Sequence, residues 1–207
     1  FLKKNWSVEI IDNFSRNTAI LNKDEISSEV YIHNNDIRDI KIIEELIKKK
    51  FDMVLHLAAQ VAVTSSIENP KYDFDVNAVG TLNLLDSIRK FSPHTVFINA
   101  STNKVYGSCD EINITEIENK YVYEDKNFLG INENFKYDFH TPYGCSKGIA
   151  DLYTKDFARI YNLKTVTLRQ SCIYGPNQYG IEDQGWISWF IIKKLKNEII
   201  NIYGNGK

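Results

Sequence analysis

Short apolar runs alternate with longer stretches of helical periodicity along this chain of 207 residues. The apolar runs predict strands over residues 8–11, 30–33, 53–57, 95–100 and 165–168. Helices are predicted where apolar side chains recur every three or four positions, over residues 40–47 and 70–91, and from Tyr143 to about Tyr161. Strands separated by such helices are typical of βαβ units, so we expect an α/β fold with a parallel sheet. Residues 108–140 show neither pattern and form one long irregular stretch, which at this length is more often functional than idle.

Composition and charge argue against several classes of protein. Hydrophobic residues make up 43% and charged residues 25% of the chain, which is ordinary for a globular protein with its own core. The net charge of −2 provides no basic surface for nucleic acid or an anionic membrane, and no apolar run is long enough to span a bilayer. Cys109, Cys145 and Cys172 are widely spaced, and the four histidines form no metal-binding motif. We therefore expect a cytoplasmic protein with reduced thiols, no bound metal, and neither nucleic acid nor membrane as a partner.

The first predicted strand ends in an acidic residue, Asp12, and no glycine occurs before Gly80. In a dinucleotide-binding sheet, an acid at the end of the second strand holds the adenosine ribose, and a glycine-rich phosphate loop follows the first strand. We therefore interpret residues 8–12 as the second strand of a Rossmann-like, doubly wound sheet that lacks its first βα unit. Residues 203–207 end the chain in an unfinished pattern. We expect an internal fragment that is inactive by itself.

The stretch HTPYGCSK, residues 140–147, predicts the start of a helix that carries a reactive tyrosine. Thr141 can cap a free backbone N–H group, and Pro142 suits the first helical position. Tyr143 then lies in the first turn, with Lys147 one turn further along the same face. A free tyrosine titrates near ~10, but a nearby cation and the helix dipole favour its phenolate form. Tyr143 would then take a proton from a sugar hydroxyl as hydride leaves the carbon for a nicotinamide ring, although a plain surface pair is the alternative.

Several motifs along the chain resemble one enzyme family. In chain order they are DNFSR (12–16), ND (35–36), HLAAQ (56–60), VNAVGTLNLLD (76–86), STNKVYG (101–107) and YGCSK (143–147). Together they resemble the extended short-chain dehydrogenase/reductases, which include the NAD-dependent nucleotide-sugar epimerases and dehydratases. Three stretches, DFHTPYGCSKG (138–148), RQSCIYGPNQYG (169–180) and EDQGW (182–186), are similar more narrowly to the CDP-paratose 2-epimerases, also called CDP-tyvelose 2-epimerases. The resemblance extends over essentially the whole chain.

The resemblance implies roles for individual residues. Thr102, Tyr143 and Lys147 match the catalytic positions of the family, where the threonine orients the reacting hydroxyl and the lysine also reaches the cofactor ribose. Contacts with the cofactor are implied for Asp12, Asn13, Arg16, Asp36, Ile37, Leu57, Ala58, Ala59, Gln60, Asn77, Tyr143 and Lys147. Contacts with the substrate are implied for Thr102, Asn103, Cys172, Gln184 and Trp186. Structural alternatives remain open: a strand-end hydroxyl for Thr102, a helix cap for Asp36, a tie between helix and strand for Asn77, and core packing for Trp186.

The carboxylate of Asp12 favours NAD over NADP as the cofactor. It would accept hydrogen bonds from both ribose hydroxyls and would repel a 2′-phosphate. Each close charge pair is worth roughly 4 kcal/mol at an effective dielectric constant near ~20. Arg16 lies beyond the turn and would border the adenine.

Three functions compete on this scaffold. The resemblance favours an NAD-dependent epimerase that inverts C2 of a CDP-linked dideoxyhexose, CDP-paratose to CDP-tyvelose, through a transient keto sugar, as in lipopolysaccharide O-antigen biosynthesis. The second function is a nucleotide-sugar 4-epimerase or 4,6-dehydratase, although dehydratases usually carry Asp-Glu where this chain has Asn103-Lys104. The third is a non-catalytic NAD-binding regulator, but such proteins generally lose the tyrosine or the lysine.

The resemblance also implies a division of the chain into two parts. We expect an NAD-binding domain over residues 1–170 and the beginning of a substrate-binding region over residues 171–207. The full-length protein is expected to form a homo-oligomer.

Overall fold

Strands and helices alternate along most of the chain in a computed structural model, which describes residues 1–23 and 25–203. The strands are β1 Glu9–Asp12, β2 Tyr31–Asn34, β3 Met53–His56, β4 Val96–Thr102, β5 Ile114–Ile117, β6 Lys120–Tyr123 and β7 Thr165–Gln170. The helices are α1 Asn17–Lys23, α2 Ile40–Ile47, α3 Val63–Glu68, α4 Pro70–Phe74, α5 Gly80–Phe91, α6 Pro142–Tyr161 and α7 Trp186–Leu195. A π-helical turn, Asp75–Val79, joins α4 to α5, and a 3-10 turn, Asn103–Tyr106, follows β4.

The parallel strands form two groups. Strand β1 pairs with β2, from Glu9 opposite Tyr31 to Asp12 opposite Asn34, and the second group has the order β3-β4-β7. A cavity of about 440 Å³ separates the groups and is lined by both β1 and β3. No strand within the described ranges joins the two groups. The fold is therefore the predicted Rossmann-like α/β arrangement of parallel strands and helices.

The hydrophobic core joins α2, α5 and α6 to the second sheet. Leu85 and Ile88 on α5 and Phe97 on β4 are fully enclosed, as the helical spacing over 70–91 predicts for the inward face of α5. Gly80 lets Ile37 pack directly on the start of α5, because a Cβ atom added there would lie 2.5 Å from Ile37 Cδ1. This core holds β4 and α6 in place, and these are the two elements that carry the predicted catalytic residues.

Two features differ from the predicted elements. The irregular stretch 108–140 contains an antiparallel hairpin, β5-β6, with Ile114 opposite Tyr123. Its side chains are almost all exposed, so no alternation of apolar and polar residues marks it in the sequence. The predicted continuous helix over 70–91 is instead α4, the π-helical turn and α5. None of the helices in the described ranges is long and apolar enough to cross a membrane.

Candidate active site

The first turn of α6 has the structure that its sequence predicts. Thr141 caps the helix, its hydroxyl accepting a hydrogen bond from Gly144 N at 3.0 Å, and Pro142 occupies the first helical position. Tyr143 and Lys147 follow one turn apart, beside the carboxyl end of β4. Local capping chemistry therefore places both side chains at the edge of the sheet where ligands of α/β folds bind.

Lys147 is buried, with 5% of its surface exposed, and its ammonium group donates to the carbonyl oxygen of Ala100 at 2.5 Å. Burial lowers the pKa of Lys147 to about 8, while the negative charges of Asp73 and Asp151 oppose that fall. At neutral pH the ammonium form therefore predominates. The lysine is held against β4 two residues before Thr102.

Tyr143 interacts with Thr102, the last residue of β4. Burial raises the pKa of Tyr143, a side-chain hydrogen bond with Thr102 lowers it, and the charge of Asp73 raises it further. The expectation that Lys147 and the helix dipole would lower this pKa is wrong. The cost of burying a phenolate is larger than these effects, and the ammonium group of Lys147 is bonded to a backbone carbonyl instead.

Thr102 lies where its strand-end alternative predicts. It is the last residue of β4, and its hydroxyl caps the following 3-10 turn by accepting a hydrogen bond from Lys104 N at 3.2 Å. The same side chain acts on Tyr143, since it is the group that lowers the pKa of the tyrosine against the effect of burial. Asn103, the next residue, is exposed.

Four of the predicted cofactor residues line the cavity between β1 and β3: Asp12, Ile37, Leu57 and Ala58. Asp12 ends β1, and its Oδ1 atom accepts a hydrogen bond from Phe14 N at 2.7 Å. Its Oδ2 atom accepts no hydrogen bond from the part of the chain that the structure describes. A carboxylate oxygen that is free at the carboxyl end of a parallel strand fits the binding of a ribose hydroxyl.

The carboxylate of Asp36 binds the side chain of Arg38 and does not cap a helix. Both of its carboxylate oxygens accept hydrogen bonds from Arg38, at 2.9 and 2.8 Å, and Asn13 Nδ2 donates to it at 2.8 Å. The bonds from Arg38 hold the pKa of Asp36 well below its usual range. Asp39 caps α2, so the helix-cap alternative for Asp36 is wrong. The two predicted cofactor residues Asn13 and Asp36 are in direct contact.

The side-chain amide of Asn77 forms two hydrogen bonds with the backbone of Gln60. Asn77 has 1% of its surface exposed; its Oδ1 atom accepts from Gln60 N at 2.9 Å and its Nδ2 atom donates to Gln60 O at 3.0 Å. Asn77 Nδ2 also contacts Ser146 Oγ at 3.0 Å and Asp73 Oδ1 at 3.2 Å. Because its amide is saturated inside the protein, these contacts favour the predicted tie between helix and strand over a direct cofactor contact. The half-buried Ala59 directly precedes Gln60.

The predicted substrate residues beyond β7 differ in their contacts and exposure. Gln184 accepts a hydrogen bond from Arg16 Nη2 at 2.9 Å, which brings a predicted substrate residue to a predicted cofactor residue. Trp186 is 51% exposed and lies edge-on to Phe190, so the core-packing alternative for it is wrong. Cys172 is exposed.

Two residues of the site are given no role by any sequence motif and are therefore missed by the sequence analysis. Asp73 and Ser146 are buried and hydrogen-bonded to each other beneath the first turns of α6. The only signal in the sequence is an acid in an otherwise amphipathic helical pattern, and that position reads equally well as a solvated face.

Comparison with known proteins agrees with this geometry. Residues 1–207 match the protein family described as GDP-mannose 4,6 dehydratase. The CDP-paratose 2-epimerase of Salmonella typhi is 44% identical over 207 residues, covering 96% of this chain and 61% of that protein. The structure of a UDP-glucose 4-epimerase from Thermotoga maritima with UDP-glucose has a TM-score of 0.79 and 26% identity, covering 99% of this chain and 60% of that one. The structure of a UDP-glucose 4-epimerase from Thermus thermophilus in complex with NAD has a TM-score of 0.78 and 27% identity, covering 96% of this chain and 58% of that one.

The fold and the match define the class as the NAD-dependent epimerases and dehydratases of the short-chain dehydrogenase/reductase type. Within that class, the chain belongs to the GDP-mannose 4,6 dehydratase family. It spans roughly three fifths of the length of each of the three relatives.

Proposed function

We propose that this protein is an NAD-dependent nucleotide-sugar epimerase that inverts C2 of a CDP-linked dideoxyhexose, converting CDP-paratose to CDP-tyvelose through a transient keto sugar. The observation that carries the proposal is the meeting of Thr102, Tyr143 and Lys147 at the carboxyl end of β4. Similarity to a CDP-paratose 2-epimerase over 96% of the chain supports the choice of sugar and nucleotide. The NAD complex of a structural relative supports the cofactor.

The cofactor would be held where the two groups of strands end. Asp12 would bind the adenosine ribose, and Leu57 and Ala58 would border the pyrophosphate on the opposite wall of the cavity. When bound, NAD supplies the two-electron oxidant that accepts hydride from C2 of the sugar and returns it to the opposite face. Residues 1–170 would provide this cofactor domain, and residues 171–207 would begin the substrate-binding region.

The side chains of the chain itself handle the proton. As the C2–H bond breaks and the C2=O bond forms, the Tyr143 phenolate takes the proton of the C2 hydroxyl. After the keto sugar has rotated to present its opposite face to the cofactor, the Tyr143 hydroxyl returns that proton to the same oxygen. Thr102 would orient the sugar hydroxyl beside Tyr143, and the remaining ammonium hydrogens of Lys147 would donate to the cofactor ribose.

The residues after Thr102 support an epimerase over a dehydratase. Elimination of water needs an acid and a base in addition to the tyrosine. Asn103 and Lys104 stand at the next two positions, both exposed, and neither is a carboxylic acid. The chain therefore lacks, at this place, the pair of carboxylic acids that dehydratases usually carry.

Product analysis by NMR tests the proposal. The full-length protein is incubated with CDP-paratose carrying deuterium at C2, and in parallel with UDP-glucose. We expect CDP-tyvelose to form without an added redox substrate and the deuterium to stay on the sugar. Loss of the label to water would indicate deprotonation at carbon and would contradict the hydride mechanism. Conversion of UDP-glucose alone would make the protein a 4-epimerase or, if a 4-keto-6-deoxy sugar accumulates, a dehydratase.

A further inference from the structure

A fully buried carboxylate lies beneath the proposed catalytic pair and takes no part in the proton transfers described above. Asp73, on α4, has 0% of its surface exposed. Its Oδ1 atom accepts hydrogen bonds from Gln60 Nε2 at 3.0 Å and from Asn77 Nδ2 at 3.2 Å, and its Oδ2 atom accepts one from the hydroxyl of Ser146. Ser146 directly precedes Lys147 on α6. The carboxylate is therefore tied to the turn of α6 that carries the proposed catalytic residues.

The hydrogen-bond donors of Asp73 are all neutral. Within residues 1–23 and 25–203, no lysine, arginine or histidine nitrogen forms an ion pair with Asp73. The other carboxylate that acts on Lys147, Asp151, is paired with Arg169 at 2.8 Å. A buried carboxylate without a paired cation is costly, so an ammonium ion in the same interior is strongly favoured. Lys147 is the cation whose charge acts on Asp73.

The groups that face Lys147 from the elements around it leave Asp73 as the counter-charge. Tyr143 and Asp151 lie on α6 itself, and Asp151 is neutralised by Arg169. His56, on β3, is neutral near pH 7, because burial lowers its pKa to about 3. Burial also lowers the pKa of Lys147, and Asp73 is the larger of the two charges that oppose this effect.

We propose that the carboxylate of Asp73 is the buried counter-charge that keeps Lys147 in its ammonium form, and that Asp73 thereby acts as a positioning residue of the active site; this inference rests on the proposed function. The same negative charge disfavours the phenolate of Tyr143 and raises its pKa. Asp73 therefore shifts the ionisation of both residues toward higher pH. It thereby sets the pH dependence of the two ionisations on which the proposed proton transfer depends.

The substitution Asp73→Asn tests this role through the pH dependence of kcat/KM in the full-length protein. The two limbs of that profile report the ionisations of Lys147 and Tyr143. Removal of the negative charge should move both limbs to lower pH, by roughly half a unit or more. A residue that only supports packing would lower the rate at every pH without moving either limb. Limbs that stay in place while the rate falls would overturn the inference.

Three further variants separate charge from structure. Asp73→Glu keeps the charge and should restore both limbs toward their original positions. Asp75→Asn removes a charge two residues away, from a surface pair with Lys71, and should leave the profile unchanged. Where Asp73→Asn fails to fold, Asp73→Ser removes the charge with a smaller polar side chain, and the same shift is expected.

The outcome for Tyr143→Phe distinguishes this inference from the proposed function. If Tyr143→Phe retains the parent rate, the proposed function is wrong, whatever the profile of the Asp73 variants. If Tyr143→Phe is inactive and both limbs stay in place in the Asp73→Asn protein, only the role of Asp73 is wrong.

Discussion

Arg16 and Gln184 are 168 residues apart in the chain and are joined by a hydrogen bond of 2.9 Å from Arg16 Nη2 to Gln184 Oε1. The bond connects the loop after β1 to the segment that precedes α7. Two further bonds hold the same segment: Thr64 Oγ1 donates to Asp183 Oδ2 at 2.7 Å, and Asn22 Nδ2 donates to Asn177 O at 3.0 Å. The start of the proposed substrate-binding region is therefore anchored on the proposed cofactor domain.

Loss of the Arg16–Gln184 bond should loosen this segment. Gln184→Ala removes the acceptor, and one hydrogen bond to a charged donor contributes about 1.5 kcal/mol or more. We expect amide hydrogen exchange within residues 177–185 to become roughly tenfold faster, provided that the segment opens locally. Gln184→Glu keeps an acceptor for Arg16 and serves as the control. Equal exchange rates in the parent and the Gln184→Ala protein would show that the bond does not hold the segment.

Tyr143→Phe should lower the rate of epimerisation by at least ~100-fold, the low end for a lost general base, and leave the affinity for NAD nearly unchanged. Steady-state kinetics and calorimetry on the full-length protein measure the two quantities. Tyr153→Phe is the matched control, because Tyr153 lies on the same helix and is exposed. A Tyr143→Phe protein that retains a third of the parent rate would remove Tyr143 from the role of base.

Asp12→Ser should narrow the preference for NAD over NADP, because the carboxylate that repels a 2′-phosphate is gone while a hydroxyl remains to accept from Phe14 N. The ratio of dissociation constants, measured by calorimetry, checks this. Asp52→Ser is the control, since exposed Asp52 precedes β3 at the opposite end of the strands. An unchanged ratio in the Asp12→Ser protein would place ribose selection elsewhere, with Arg16 as the next residue to test.

Arg169→Met should destabilise the fold by about 3–5 kcal/mol, because it leaves the buried carboxylate of Asp151 without its cation. Arg169 also donates to Tyr106 Oη at 2.9 Å and to Glu133 O at 3.0 Å, so it ties the 108–140 stretch to α6 and β7. Arg159→Met breaks an exposed Arg–Asp pair with Asp156 and should cost no more than ~1 kcal/mol. Denaturant unfolding compares the two variants. A similar decrease in the free energy of unfolding in both variants would show that the buried pair stabilises the fold no more than the exposed pair does.

His56 should make the fold less stable in acid. Burial lowers the pKa of His56 to about 3, so the unfolded chain binds its proton below pH ~6.5 while the folded chain does not until about pH 3. The free energy of unfolding should therefore fall as the pH falls through this window, by up to about 1.4 kcal/mol per pH unit from this residue. In the His56→Gln protein that part of the slope should be absent. His140→Gln, at an exposed position, serves as the control for loss of a histidine, and a parent-like slope in His56→Gln would contradict the assignment.

Local patterns in the sequence predict the alternation of strands and helices, the start of α6 and the position of Asp12 at the end of a strand. These features depend on interactions within a few residues: the helical spacing of apolar side chains, a threonine cap with proline after it, and an acid where an apolar run stops. The hairpin β5-β6 escapes prediction because its exposed side chains carry no such periodicity. The sequence alone therefore specifies the parallel α/β framework and the order of its elements.

Only the tertiary structure determines which hydrogen-bond partners the side chains of the site have and how deeply they are buried. The ammonium group of Lys147 lies on the Ala100 carbonyl, and the amide of Asn77 is saturated by partners up to 69 residues away. Asp73 becomes a buried charge only because α4 packs against α6. No local rule encodes these contacts, since a group's burial and its partners depend on elements that are distant in the chain. Burial in turn decides the sign of the pKa shift, which is why the pKa of Tyr143 rises where the helix start and the lysine by themselves predicted a fall.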